Sequence, residues 1–211
     1  AGEAAELIAA HADELAAVVV EPLQRCILPR PGFFETLREE TRKHGVILIF
    51  DEVVTGFRMA WGGAQERYGV VPDLATYGKT ISGGYPSAAI CGRADLLETA
   101  NPRRKPYPSD PQSIIASGTF NGNPLSAAAG LATLNELAKP GTYERLFAMG
   151  DRITREIMAM GQEFSIPLLV GGEGPVLQVL FTTDDTIRNY ESMLYADRAK
   201  AYTFGVEMIR R

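Results

Sequence analysis

Two side chains suited to covalent and charge chemistry follow strand-like segments in the first half of the chain. The apolar run 46–50 ends on Asp51, and a second strand-like segment, 74–77, leads through a glycine to Lys79. Because the first run is apolar and β-branched without polar alternation, it predicts a strand buried on both faces of a mainly parallel sheet. Ligands of open α/β sheets bind at the carboxyl ends of such strands. We therefore expect Asp51 and Lys79 at one edge of the sheet.

The first two interpretations of the Asp51–Lys79 pair are a structural salt bridge and a nucleotide-binding site. An arbitrary acid and lysine most often form a salt bridge that ties two strand ends together. A nucleotide hydrolase is the second interpretation, because Gly78-Lys79-Thr80 imitates the end of a phosphate-binding loop. That loop requires a glycine five residues before Gly78, and position 73 is Asp. The acidic strand also precedes the lysine loop, so the sequence excludes the hydrolase.

A third interpretation is a pyridoxal phosphate site. Its chemistry needs a lysine amine that forms a Schiff base with the cofactor aldehyde. It also needs a carboxylate facing the pyridine nitrogen, which keeps the ring protonated as an electron sink. Lys79 and Asp51 supply these two groups, and the glycines around Lys79 allow the backbone to approach a ligand closely.

Three segments resemble the class III aminotransferases, a branch of the fold-type I pyridoxal phosphate enzymes. They are LIFDEVVTGFR (48–58), PDLATYGK (72–79) and GTFNGNPLSAAAG (118–130). The resemblance is greatest to glutamate-1-semialdehyde aminomutase-like members and covers nearly the whole chain. It implies that Asp51 binds the pyridine nitrogen, Val53 packs on the ring and Lys79 carries the Schiff base. It also implies a homodimer in which Thr119 of one subunit holds the cofactor phosphate of the other.

The same resemblance implies an α/β fold with a mainly parallel sheet in a large domain and a smaller α+β C-terminal domain. Residues 1–140 should form the second half of the cofactor-binding large domain, and residues 141–211 the start of the small domain. Members of this family are much longer, and their first phosphate-binding loop and ring-stacking aromatic lie upstream of the segment 20–22. We therefore expect these residues to be a piece of a larger enzyme, inactive in isolation.

Local patterns predict the remaining elements. Helices are expected over 4–12, 31–44, 93–99, 125–137, 143–164 and 197–211, strands over 16–20, 87–91 and 176–181, and a loop over 101–117. Pro31 should open the second helix and Gly45 should end it. Asn123 suits a helix N-cap before Pro124, which would place Thr119 near a helix start that favours phosphate.

Composition limits the partners. The net charge is -5, and no long basic run is present, which argues against nucleic acid and anionic membranes. No apolar stretch is long enough to span a bilayer. The two cysteines do not form a disulfide framework and suit a reducing, cytoplasmic compartment. Neither histidine has a metal-ligand spacing. The resemblance implies small-molecule ligands, an amino donor and a carbonyl acceptor.

Two activities and one inactive role remain open. An aminotransferase would use Lys79 to move a proton between the substrate Cα and the cofactor, and would release a keto product. An aminomutase would move the amine within one molecule, although Val54 stands where the aminomutases usually carry Met. The segment 80–84 also interrupts their glycine triplet. A non-catalytic fragment is the third hypothesis.

Overall fold

The chain forms two compact units in a computed structural model that describes residues 1–101, 103–104, 109–110, 113–114 and 117–211. The first unit comprises Ala1–Pro22 and Arg30–Lys139, and the second comprises Leu23–Pro29 and Pro140–Arg211. The loop predicted over 101–117 lies partly outside the described residues.

A four-stranded sheet forms the centre of the first unit. Strands β1 (Ala17–Val20), β2 (Ile47–Asp51) and β3 (Leu74–Tyr77) run parallel, and β4 (Ala89–Gly92) pairs antiparallel with β3. The mainly parallel sheet is therefore confirmed. Its carboxyl edge receives the ends of β2 and β3, and these two ends lie side by side.

One face of the sheet builds the core. Leu48 and Phe50 of β2 are fully buried, and the surrounding cluster contains Ile8, Phe34, Leu37, Val70, Ala75 and Tyr77. On the opposite face, Val19 is 64% and Ile90 is 62% exposed, and β2 alternates between buried and half-buried residues. In this chain the β2 segment is therefore buried on one face and half-buried on the other, so the expected burial on both faces is not observed in the described residues.

Helices α1 (Gly2–Ala10) and α2 (Phe33–His44) pack against each other, and α2 buries Phe34, Leu37 and Thr41. Gly45 ends α2 with φ +71°, as predicted. Pro31 does not begin α2. Gly32 lies between Pro31 and the helix in a left-handed conformation (φ +80°), and the first residue of α2 is Phe33.

Three further helices complete the first unit: α3 (Gly63–Tyr68), α4 (Ala94–Leu97) and α5 (Pro124–Leu137). A 3₁₀ turn, Glu98–Ala100, continues α4. The predicted cap of α5 is confirmed, because the Asn123 side chain accepts hydrogen bonds from the amides of Leu125 (2.9 Å) and Ser126 (3.3 Å). Pro124 occupies the first helical position.

Asp73, just before β3, joins three parts of the first unit. Its Oδ2 accepts from the Leu48 amide (2.8 Å) and pairs with Arg38 of α2 (2.9 Å), and its Oδ1 pairs with Arg93 (3.1 Å). Burial raises the pKa of the Asp73 carboxyl, but these donors outweigh burial and hold the pKa below its usual value. The carboxylate therefore fastens β2, α2 and the segment after β4 to the start of β3.

The second unit contains α6 (Thr142–Glu163), a hairpin of β5 (Leu169–Glu173) and β6 (Val176–Leu180), and helices α7 (Tyr190–Leu194) and α8 (Arg198–Arg210). Strand β5 and helix α7 were not predicted. Two glycines hid the strand, and one of them, Gly172, has φ +94°. No helix in the described residues is long and apolar enough to cross a bilayer.

Candidate active site

The Asp51 carboxylate is fixed at the carboxyl edge of the sheet. Asp51 is the last residue of β2 and lies opposite Thr76 of β3. Its Oδ1 accepts a hydrogen bond from the Thr76 hydroxyl and another from the Val53 amide, each 3.1 Å long. Because both donors use the same oxygen, they set the orientation of the whole carboxylate.

Val53 and Lys79 lie on adjacent segments beyond the same edge. A Cβ built on Gly78 would lie 3.4 Å from Cγ1 of Val53, so the Val53 side chain borders the backbone that leads to Lys79. Lys79 follows directly, begins a 3₁₀ turn that reaches Ser82, and has an exposed side chain. The structure thus places Asp51, Val53 and Lys79 at the ends of neighbouring strands.

Thr119 belongs to a different part of the first unit. It is exposed in the turn before α5 and lines a cleft of about 570 Å³ together with residues 86–88 and the rest of 118–122. Among the described residues, the lining of this cleft includes neither Asp51 nor Lys79. The structure therefore does not bring Thr119 into the Asp51–Lys79 group.

The donor set at the edge fits pyridoxal phosphate. Asp51 offers a carboxylate in a fixed orientation for a protonated ring nitrogen, and Lys79 offers an exposed primary amine for an aldehyde. Val53 presents an apolar surface beside Gly78, where a flat ring can pack without competing for hydrogen bonds. The turn with Thr119 offers a hydroxyl near a helix start, which suits a phosphate.

Glu52 was missed as a structural centre of this site. Its side chain is fully buried, with Oε2 accepting from the Thr55 hydroxyl (3.0 Å) and the Ala64 amide (2.5 Å). Its Oε1 accepts from the backbone (3.3 Å) and side-chain (3.0 Å) nitrogens of Gln65. Strand alternation could have indicated this burial, because the neighbour of Asp51 must face the opposite side of the sheet.

Gln65 connects Glu52 to β3. Its Nε2 also donates to the Tyr77 hydroxyl at 2.8 Å. Burial, and secondarily the Glu52 charge, raise the pKa of Tyr77 to about 12, so the phenol stays protonated at neutral pH. Spacing alone could not predict this contact, nor the one between Thr76 and Asp51, because both depend on strand register and on the path of the 52–65 loop.

Arg58 closes the turn that follows Val53. Its guanidinium donates to the Val54 carbonyl, and burial lowers the pKa of Arg58 from its usual value. This hydrogen bond stabilises the turn between Val53 and α3.

The similarity to known proteins agrees with this geometry. A model of the class-III aminotransferase family matches residues 1–206, and the chain belongs to that family. Its enzymes depend on pyridoxal phosphate. Glutamate-1-semialdehyde 2,1-aminomutase 2 of Brevibacillus brevis is 46% identical over 198 residues, which cover 92% of this chain and 44% of the relative.

Solved structures give the same result. A β-phenylalanine aminotransferase from Variovorax paradoxus has a TM-score of 0.81 and 33% identity, with 93% of this chain and 44% of that chain covered. A transaminase with pyridoxal phosphate bound has a TM-score of 0.74 and 28% identity, with coverages of 83% and 40%. The fold is therefore that of the fold-type I enzymes, and the chain spans less than half the length of these relatives.

Proposed function

We propose that the chain carries the lysine-bearing part of a pyridoxal phosphate-dependent aminotransferase. The observation that supports this most is the Asp51 carboxylate, fixed through Oδ1 by Val53 and Thr76 at the edge to which β3 leads Lys79. The substrates would be an amino acid or amine as donor and a keto acid or aldehyde as acceptor.

Each residue has a separate task in this proposal. Pyridoxal phosphate, when bound, withdraws electrons from the carbon that carries the amino group. Asp51 holds the proton on the ring nitrogen through its negative charge, and Val53 packs on the ring. Lys79 would hold the cofactor through Nζ, and the same nitrogen, as a free amine, would take the proton from the substrate Cα.

The proposal extends to assembly and location. Thr119 would hold the cofactor phosphate of a neighbouring subunit in a homodimer, which accords with its place in a cleft apart from Asp51 and Lys79. Residues 1–140 would belong to the cofactor domain and 141–211 to the small domain, and the last change from the first compact unit to the second along the sequence falls between Lys139 and Pro140. A cytoplasmic location accords with the two free cysteines.

An aminomutase is the second candidate, favoured by the 46% identity to the Brevibacillus aminomutase. Both activities need the same Asp51 and Lys79 chemistry and differ in whether a keto product leaves the site. Release of a keto acid from an amino donor by the purified protein would identify the aminotransferase. Conversion of an amino aldehyde to its isomer without keto product would identify the aminomutase.

Turnover of Lys79 variants tests the proposal common to both. In the protein at its natural length, Lys79→Ala should lower turnover by about 10³-fold or more, since the base is lost. Lys139→Ala, at an exposed lysine that pairs with Glu136 three residues earlier, is the control and should leave turnover unchanged. Normal turnover of Lys79→Ala would refute the assignment.

A further inference from the structure

Lys79 has an unusual backbone conformation. Its φ is +49°, in the left-handed region that residues with a Cβ adopt only when the surroundings hold them there. Gly78 before it is fully extended (φ -160°, ψ -161°). The position of the Lys79 side chain thus depends on how firmly the two flanking segments are held.

The segment after Lys79 is held by α5. A Cβ on Gly130 of α5 would lie 3.0 Å from the Ile81 carbonyl oxygen, and one on Gly83 would overlap the Thr133 hydroxyl. The buried Ser82 hydroxyl donates to the Tyr85 carbonyl. This side of Lys79 is therefore packed closely against a helix.

The segment before Lys79 is held from the core by a chain of hydrogen bonds. The Tyr77 ring is buried, with its centroid 5.4 Å from that of Phe57, and its hydroxyl accepts from Gln65 Nε2. The same Nε2 donates to Glu52 Oε1, so one amide group joins the phenol to the carboxylate.

Glu52 restricts the movement of this group of hydrogen-bonded side chains. In the described residues no lysine or arginine pairs with this fully buried carboxylate, which is held by hydrogen bonds from Thr55, Ala64 and Gln65 alone. A buried charge without a cation is tolerated only when such donors satisfy it, so the loop between Glu52 and Gln65 has little freedom to move. The Glu52 amide also donates to the Thr76 carbonyl (2.9 Å), one residue before Tyr77.

We propose that Glu52, Gln65 and Tyr77 are positioning residues for Lys79: their hydrogen-bonded chain holds the end of β3, and with it the lysine amine, at the Asp51 edge. This inference rests on the function proposed for Lys79. Because burial raises the pKa of Tyr77 to about 12, the Tyr77 hydroxyl stays protonated while Lys79 exchanges its proton.

Two conservative variants break this chain at different links. Tyr77→Phe removes the hydroxyl and keeps the ring, whereas Gln65→Met removes the side-chain amide and keeps the backbone N–H that donates to Glu52. Tyr68→Phe is the matched control, since Tyr68 packs on Phe34 in the same core but lies on α3 and not on the strand that leads to Lys79. The folded fraction of each variant is measured by urea unfolding, and each rate is expressed per mole of folded protein.

The test uses the protein at its natural length and has two readouts. One is the rate at which borohydride traps pyridoxal phosphate on Lys79, and the other is the pair kcat and KM for the amino donor. We expect Tyr77→Phe and Gln65→Met each to slow trapping and lower kcat about tenfold, with KM unchanged. The double variant should lose no more than either single one, because both break the same chain.

The outcomes separate the two claims. If the unaltered protein does not trap the cofactor on Lys79, the proposed function fails. If it does, and the variants match it or their losses multiply, the positioning role is refuted while the function stands. A loss in Tyr68→Phe equal to that in Tyr77→Phe would also refute the positioning role, since general core damage would then explain both.

Discussion

At the scale of single residues, Asp51 combines charge and orientation. Asparagine at this position keeps an oxygen that can accept from Val53 and Thr76, but it has no negative charge for a ring proton. Asp51→Asn should therefore lower turnover about 100-fold, or about 2.7 kcal/mol in the barrier, while the fold remains intact. Steady-state kinetics and circular dichroism check this.

The exposed acid Asp13, changed to Asn, serves as the control and should have no effect on turnover. Unaltered turnover in Asp51→Asn would show that the carboxylate charge has no part in the chemistry.

At this scale, the sequence could indicate only residues whose chemical type and position along the chain are informative by themselves. Asp51 and Lys79 are conspicuous because each comes at the end of a strand-like segment, and the three family-like segments, not the pair alone, indicated their cofactor. Glu52 was passed over because its burial follows from facing the core, and Thr76 because its partner follows from strand register. Contacts between side chains far apart in sequence need the three-dimensional path of the chain.

At the scale of elements, Asp73 connects β2, α2 and the segment after β4. Its pKa is lowered in the folded chain, so its stabilisation is present above the unfolded value of about 3.9 and is lost as the pH falls through the folded pKa. Asp73→Asn should cost about 3 kcal/mol at neutral pH, because Arg38 and Arg93 lose their carboxylate. It should also flatten the loss of stability below about pH 4.

Urea unfolding at several pH values measures both effects. Asp151→Asn, at an exposed position on α6, is the control and should retain the acid-induced loss. An Asp73→Asn protein with the full acid-induced loss would show that another carboxyl group causes it.

The start of α3 gives a second test at this scale. Gly63 begins this helix and Gly69 follows it, with nearly equal φ (+74° and +70°), but only at Gly63 would a Cβ lie 2.8 Å from the Glu52 carboxyl carbon. Gly69→Ala should cost about 1 kcal/mol for its backbone conformation. Gly63→Ala should cost about 3 kcal/mol, since it also displaces the buried carboxylate.

Free energies of unfolding from urea titration decide between these values. Equal losses in the two variants would contradict the central position of Glu52 in the loop.

Elements themselves were predicted unevenly. The capped helix α5 and the strand β3 were predicted nearly to their ends, because Asn-Pro and the Pro-Asp boundary are strong local signals. The start of α2 was misplaced by a left-handed glycine, and β5 was hidden by its own glycines. A left-handed glycine was predicted where it ends a helix, at Gly45, but no local pattern marked the positive φ of Gly32 or Gly172.

At the scale of the whole molecule, the open face of the sheet carries exposed Val19 and Ile90. Apolar surface of this kind favours association, so the 211-residue chain should form oligomers at micromolar concentrations. Changing both residues to Thr should shift the equilibrium towards monomer, whereas Val71→Thr, at an exposed position outside the strands, should not. Sedimentation velocity measures this, and a strictly monomeric chain would contradict the expectation.

The most direct test of the whole account is where the chain binds pyridoxal phosphate. The protein at its natural length is incubated with the cofactor, reduced with borohydride and mapped by peptide mass spectrometry. We predict a pyridoxyl group on Lys79, in clear excess over Lys43, Lys105, Lys139 and Lys200, and a loss of that selectivity in Asp51→Asn. Labelling spread evenly over the lysines, or absent from Lys79, would contradict the proposed active site.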